Sequence, residues 1–310
     1  MSRTMFVMDS NRRVLFGLGL MSGVDQVSDL LAHARVADEA GLDMFNVGDH
    51  PYFADRIDAY AAVGFVLGAT SRIAGSVVMT NLLSRPAPIL ARTITGLSAV
   101  SGGRVILGLG AGGMWEEIVA LGVPRLSPGQ RIRALEEAIT VVRALSGGGG
   151  PVTFDGEFYQ VSELMPAAAP TPPIWLGTGG QQGLAVAGRQ ADGWIPPHVA
   201  DWRSTIVAEG RPLIDEAAAA AGRDPADVGT VYLVSGRITR DPLPQTRDDQ
   251  GRWTGGGVKQ WVEELTQAVL EHGASAFNYL VPPGQDLSDT TVNLWAREVV
   301  PAVREAIAKP

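Results

Sequence analysis

Four histidines and no cysteine stand among the 310 residues, so few side chains can exchange a proton near neutral pH. Without cysteine there are no disulfides, thiolate nucleophiles or thiolate-held metals. His33, His50, His198 and His272 form no His-x-His or His-x-x-x-His pair, so no metal site is expected. His50 is the candidate catalytic residue. It follows Asp49 directly after the apolar run Met44–Gly48. An imidazole there can donate or accept a proton, or lie against a heteroaromatic ring. The plain alternative is a histidine that hydrogen-bonds the strand end or caps the loop. Asp49 is adjacent, so the two side chains need not face the same way, and one can simply hold the loop.

Glycine supplies the second signal. Gly177, Thr178, Gly179 and Gly180 precede a helix expected to start near Gln182. Free backbone N–H groups and the positive end of a helix dipole make that loop a seat for a phosphate. A tight turn needing positive φ is the alternative, but three glycines in four residues exceed what one turn needs. Gly108, Gly110 and Gly113 match the G-x-G-x-x-G spacing of dinucleotide-binding folds. That reading needs a second strand ending in an acidic residue about twenty positions on. The position falls in Arg131–Glu137, a helical stretch, so Gly110, Gly112 and Gly113 are read as close backbone access at a strand end. Glu116 and Glu117 open a helix and suit its dipole. No Ser nucleophile elbow and no P-loop lysine occurs.

The elements that must hold these groups alternate between short apolar runs and amphipathic stretches, the pattern of βα units on a parallel sheet. Strands are expected at Val14–Leu20, Met44–Gly48, Ile73–Met79, Val105–Gly110, Ile174–Leu176, Gly193–Ile195, Val228–Ile238 and Ala276–Val281. Helices fall between them, over Val24–Ala40, Ala59–Thr70, Pro88–Ser101, Trp115–Leu121, Gln130–Leu145, a stretch ending at Arg189, Trp202–Ala221, Val258–His272 and Asn293–Ile307. Val152–Val161, with its Asp155-Gly156 turn, reads as an inserted hairpin, and Asp241–Gly257 as a polar, mobile loop. Eight such units predict a (β/α)8 TIM barrel, residues 1–310 forming one domain with inserted segments; a doubly wound open sheet is the alternative. In a barrel the active site lies at the C-terminal strand ends, where Asp49, His50 and both glycine clusters fall.

Composition bounds the partners. A net charge of −8 argues against nucleic acid and anionic membranes. No run is long and apolar enough for a signal peptide or a bilayer span, so the cytoplasm is expected. A 45% hydrophobic and 19% charged chain can bury a sizeable core and stay in solution.

Nearly end to end, the sequence resembles the bacterial luciferase-like monooxygenase superfamily, in particular its deazaflavin (coenzyme F420) oxidoreductase branch. The resemblance is carried by Ala37 through Asp43 (ADEAGLD), Gly48-Asp49-His50, and Leu97 through Gly110 (LSAVSGGRVILGLG). PPIWLGTGG at 172–180, AGRQADGW at 187–194 and REVVPAVR at 297–304 complete it. It implies a small-molecule oxidoreductase with F420 as cofactor, or FMN in a monooxygenase that uses dioxygen. Asp49 and His50 would lie beside the tricyclic ring, with His50 as proton donor or stabiliser. Ser76-Val77 aligns with a strand-three bulge where relatives carry a non-prolyl cis peptide backing the ring. Gly110, Gly112 and Gly113 would line the ring's edge, and Gly177, Thr178, Gly179 and Gly180 would hold the phosphate. Relatives commonly dimerise through early helices, so a homodimer is expected.

Three departures bear on substrate. Sugar-phosphate dehydrogenases of this branch carry an acid at the position of Gly113. Their aromatic past the histidine has no clear counterpart, Tyr52 and Phe53 being offset. The basic group expected after the sixth strand is replaced by Pro196-Pro197-His198. The resemblance therefore implies an uncharged or apolar organic substrate. A barrel that binds a ligand without turnover, or a metal-dependent hydrolase, are readings from other classes.

Overall fold

The computed structural model describes residues 13–197, 200–282 and 286–309. Eight parallel strands close into a barrel: β1 (Leu15–Gly19), β2 (Met44–Val47), β3 (Ala74–Asn81), β4 (Val105–Gly110), β7 (Ile174–Gly177), β8 (Gly193–Ile195), β9 (Gly229–Ser235) and β12 (Ala274–Leu280). β1 pairs with both β2 and β12, which closes the ring. The open-sheet alternative is thereby set aside. β5 (Val152–Asp155) and β6 (Gln160–Leu164) form the expected antiparallel hairpin. Glu137 holds it to the barrel by accepting from the backbone N–H groups of Glu157, Phe158 and Tyr159.

Alternation along the strands sorts side chains to the two faces. Phe45 and Val47 join the large core between strands and helices, while Met44, Ala74, Ile106, Trp175, Ile195, Val231 and Ala276 fill the barrel's interior. One layer higher, towards the C-terminal ends, the interior turns polar with buried Asn46, Ser76 and Asn278. Asn46 Nδ2, Ser76 Oγ and Asn278 Oδ1 have no protein partner there. Gly17 must lack a side chain, because a Cβ would lie 1.9 Å from Asn278 Oδ1.

The helices are α1 (Val27–Glu39), α2 (Ala59–Ala69), α3 (Ala87–Ser101), α4 (Trp115–Ala120), α5 (Pro128–Ala144), α6 (Gly180–Gln190), α7 (Thr205–Ala220), α8 (Val258–His272), α9 (Asp289–Asn293) and α10 (Val300–Ala308). Asp58, Ser127 and Ser204 cap α2, α5 and α7 by accepting from first-turn N–H groups, which explains why these helices begin where they do. Three expectations need correction. The seventh strand breaks at Gly236 into β9 and a short β10 (Arg237–Thr239), because Gly236 takes φ 155° and passes against the backbone of Gly255. The closing helix contains a π turn at Leu294–Val299. Residues 241–257 are also less free than their polarity suggests: β11 (Gly255–Gly257) pairs with β10, and Arg247 ties the segment down.

Candidate active site

Asp49 and His50 end β2 but part company. Asp49's carboxylate is wholly buried and its acceptor sites are taken. Oδ2 accepts from the Asn81 backbone N–H at 3.1 Å and from Arg85 Nε at 3.2 Å; Oδ1 accepts from Arg85 Nη2 at 2.9 Å. The Asn81 carboxamide donates to the Asp49 carbonyl at 2.6 Å. Asp49's charge is matched by Arg85, and it holds the turn that carries His50, the loop-holding role open to one of the two. Burial disfavours the Arg85 cation, but Asp49 and Asp58 outweigh this and push its pKa above the ordinary arginine value. Burial likewise works to raise Asp58's carboxyl, yet Arg85 and two backbone N–H groups hold it below the usual carboxylate range.

His50 stays exposed, and its Nε2 edge lies back over Gly48, where a Cβ would meet Nε2 and Cδ2 at 3.2 Å. Gly48 follows Met44 and Asn46 in the inward alternation, so that edge of the imidazole turns towards the barrel mouth. The opposite edge bonds Tyr52, with Nδ1 2.8 Å from the phenolic oxygen, and Phe53 lies 5.8 Å away between ring centres. Desolvation by these neighbours, with a further push from Arg56, lowers the His50 pKa despite the opposing charge of Asp49.

On β3 the structure moves one expected feature. Ser76 and Val77 pair in regular register with Asn46 and Val47, and the non-prolyl cis peptide lies at Val78–Met79 instead. The register with β4 shifts between Val77 and Thr80, which locates the bulge two residues beyond Ser76-Val77. Ser76 points into the buried polar layer. Gly110 and Gly177 are partners on neighbouring strands β4 and β7. The room they leave is taken by Met79: a Cβ on Gly177 would lie 1.5 Å from its sulfur, and one on Gly110 3.2 Å from its Cβ. Met79's thioether is bedded on these two glycines. Gly112, at φ 85°, lies against the Trp115 ring, and Gly113 opens on free space.

Beyond β7, Gly179 is extended and precedes α6, which begins at Gly180 with φ 70°, earlier than the Gln182 expected. A Cβ on Gly180 would meet nothing within 4 Å. Thr178 is buried, its carbonyl accepting from Trp194 Nε1 at 2.9 Å, so β8 holds the loop in place. His33, by contrast, is a buried helix residue paired with Asp289 at 3.0 Å, and His272 sits in the last turn of α8. Glu116 pairs with Arg125 across solvent. Among the described residues no cluster suits a metal. His198 lies outside the described residues.

Sequence reasoning missed Arg85, Asn81, Met79 and the role of Tyr52. Tyr52 had a signal, its closeness to His50; Arg85, which lies 36 residues from Asp49, had none.

A closed parallel barrel with its polar groups at the β2 end and glycine-lined ends on β4 and β7 can be compared with known proteins. The family described as luciferase-like monooxygenase matches residues 13–242. The chain belongs to that family. An F420-dependent glucose-6-phosphate dehydrogenase of Microbacterium testaceum (strain StLB037) is 31% identical over 215 residues, 67% of this chain and 63% of that protein. The matched stretch thus spans less than two thirds of that dehydrogenase. An F420-dependent hydroxymycolic acid dehydrogenase of Mycobacterium tuberculosis (strain ATCC 25618 / H37Rv) is 30% identical over 257 residues, 79% of this chain and 69% of that protein. A solved F420-dependent secondary alcohol dehydrogenase, in complex with an F420-acetone adduct, shares the fold at a TM-score of 0.77 with 21% identity, covering 94% of this chain and 99% of its own. The family resemblance and the barrel expected from the sequence are both borne out.

Proposed function

We propose that this luciferase-like protein is an F420-dependent oxidoreductase, working as one barrel unit on a small, uncharged organic substrate. The observation that supports it best is the arrangement on four successive strands: His50 turned to the mouth on β2, the Val77–Thr80 bulge on β3, and Met79's thioether over Gly110 and Gly177. These residues fit a flat tricycle, because the Met79 thioether is apolar and a side chain at Gly113 or Gly180 would meet no other atom within 4 Å. The free N–H groups of the Gly179–Gly180 turn suit the phosphate of its side chain. When bound, the deazaflavin supplies hydride chemistry. The chain's own part is orientation and proton handling: His50 at the substrate oxygen, Asp49 and Arg85 fixing the turn beneath it, and Gly177–Gly180 anchoring the anionic tail.

A cavity of about 570 Å³ at the ends of β9 and β12 would take the substrate. Trp202, Trp253, Leu233, Leu280 and Val281 give it an apolar wall. Its carboxylates are paired, Asp201 with Arg247 and Asp248 with Arg252, while Arg237 on the same lining has no carboxylate partner among the described residues. Fluorescence titration with F420 and with FMN tests the reading. Saturable F420 binding supports it; binding of FMN alone would move the protein to the second reading, an FMN-dependent monooxygenase, which the family's description favours.

The homodimer belongs to the same proposal. α2 carries no charged residue and exposes Ala61, Phe65 and Gly68 on one stripe beside Gly96 and Val100 of α3. That uncharged stripe suits a second copy of itself, and a dimer in sedimentation lost in Phe65→Glu would support it. No helix of the described residues is long and apolar enough to cross a membrane. We place the protein's work in the cytoplasm.

A further inference from the structure

We propose that Tyr52 is a positioning residue that locks His50 as its Nε2–H tautomer, so that the neutral imidazole offers a hydrogen-bond donor to the barrel mouth. The inference rests on the reading of His50 as the proton-handling residue and adds to it which atom carries the proton.

A phenol has one proton to give and a neutral imidazole has one acceptor nitrogen. Tyr52's oxygen has two acceptors in reach, His50 Nδ1 at 2.8 Å and Met114 Sδ at 3.4 Å. A nitrogen lone pair at the shorter distance is the stronger acceptor, since thioether sulfur accepts weakly. Donated to Nδ1, the stronger acceptor, that proton leaves Nε2 to carry the ring's own hydrogen. In the other tautomer Nδ1–H would donate to the phenol, whose proton would be left with sulfur.

Both groups stay neutral. Desolvation raises Tyr52's pKa, aided by Asp49 and Glu117 against Asn81, and desolvation lowers that of His50. Asp49, Arg56 and Tyr52 are the polar groups that act on the imidazole, with Phe53 packed on its face. Because Nε2 lies over Gly48 and faces inward, its hydrogen meets whatever oxygen is presented at the mouth. A bare acceptor oxygen, as in a carbonyl, matches that donor; a hydroxyl that must donate does not.

The test uses the full chain without cofactor, labelled with 15N-histidine, and reads long-range correlations of the His50 ring, identified by their loss in His50→Gln. The expected pattern is Nε2–H in the parent. In Tyr52→Phe the ratio of Nε2–H to Nδ1–H should fall roughly fivefold, as expected for one neutral hydrogen bond. Phe53→Leu, which disturbs packing but not the phenol, should leave the ratio unchanged. An Nδ1–H parent, an unchanged ratio in Tyr52→Phe, or an equal shift in Phe53→Leu each overturns the proposal. The measurement needs no deazaflavin, so failure of the cofactor titration and failure of this inference are separate results.

Discussion

Arg85 closes a two-point ion pair on Asp49 and, through the same Nη2, reaches Asp58 at 2.6 Å, so one guanidinium ties the end of β2 to the start of α2. Removing it leaves a fully buried carboxylate without its cation. Arg85→Met should cost about 3 kcal/mol in urea unfolding, the low end for a broken buried pair because Arg85 keeps 20% of its side chain in solvent. The parent should also lose stability in acid. Asp58's folded pKa is depressed, so its contribution is present above the unfolded value and disappears as pH falls through the folded one. Arg85→Met should flatten that acid limb.

The acidic limb of turnover should report His50. Its pKa is lowered in the fold; with the neutral ring as the working form, as the proposed function has it, activity should rise with pH through a midpoint below the ordinary histidine range. Arg56→Gln removes a charge that pushes the midpoint down, and the limb should move to higher pH. A limb unmoved in Arg56→Gln and retained in His50→Ala would assign it to another group.

Gly177 and Met79 should behave as a coupled pair. Gly177→Ala drives a methyl into the Met79 thioether and should cost about 1–3 kcal/mol in thermal or urea unfolding. In a Met79→Ala background the same change should cost much less, a coupling a double-mutant cycle measures directly.

Sequence pattern carried the barrel and most of the mouth, for identifiable reasons. Apolar runs that end in glycine and polar groups, as in Gly48-Asp49-His50, marked the strand ends, and their alternation with amphipathic stretches showed which runs were strands. What stayed hidden was long-range: nothing near Arg85 or Arg247 in the chain names Asp49, Asp201 or Glu264 as a partner. The bulge was misplaced by two residues because Ser76, Val77 and Val78 are interchangeable as strand formers. The segment 241–257 looked mobile because polarity was legible and its anchors were not.

Those anchors make a further prediction. Arg247 bonds Asp201 at 2.7 Å and also Glu264, beneath Trp202 and Trp253. Arg247→Ala should free residues 241–254 to faster hydrogen exchange and raise the substrate KM. Deazaflavin affinity should hold, because no residue of the Gly177–Gly180 loop touches this clasp.

That clasp divides the barrel's rim into two provinces. The arc from β2 to β7 carries His50, Met79 and the glycine loop, while Trp202, Trp253 and the ends of β9 and β12 enclose the cavity on the adjoining arc, one strand from β2. On the proposed function, variation in the strapped segment can then reshape what the protein accepts while the arc with His50 is left intact. A designer seeking a new specificity would graft at 241–254, keeping Arg247, Asp201 and Glu264 as the fastening points.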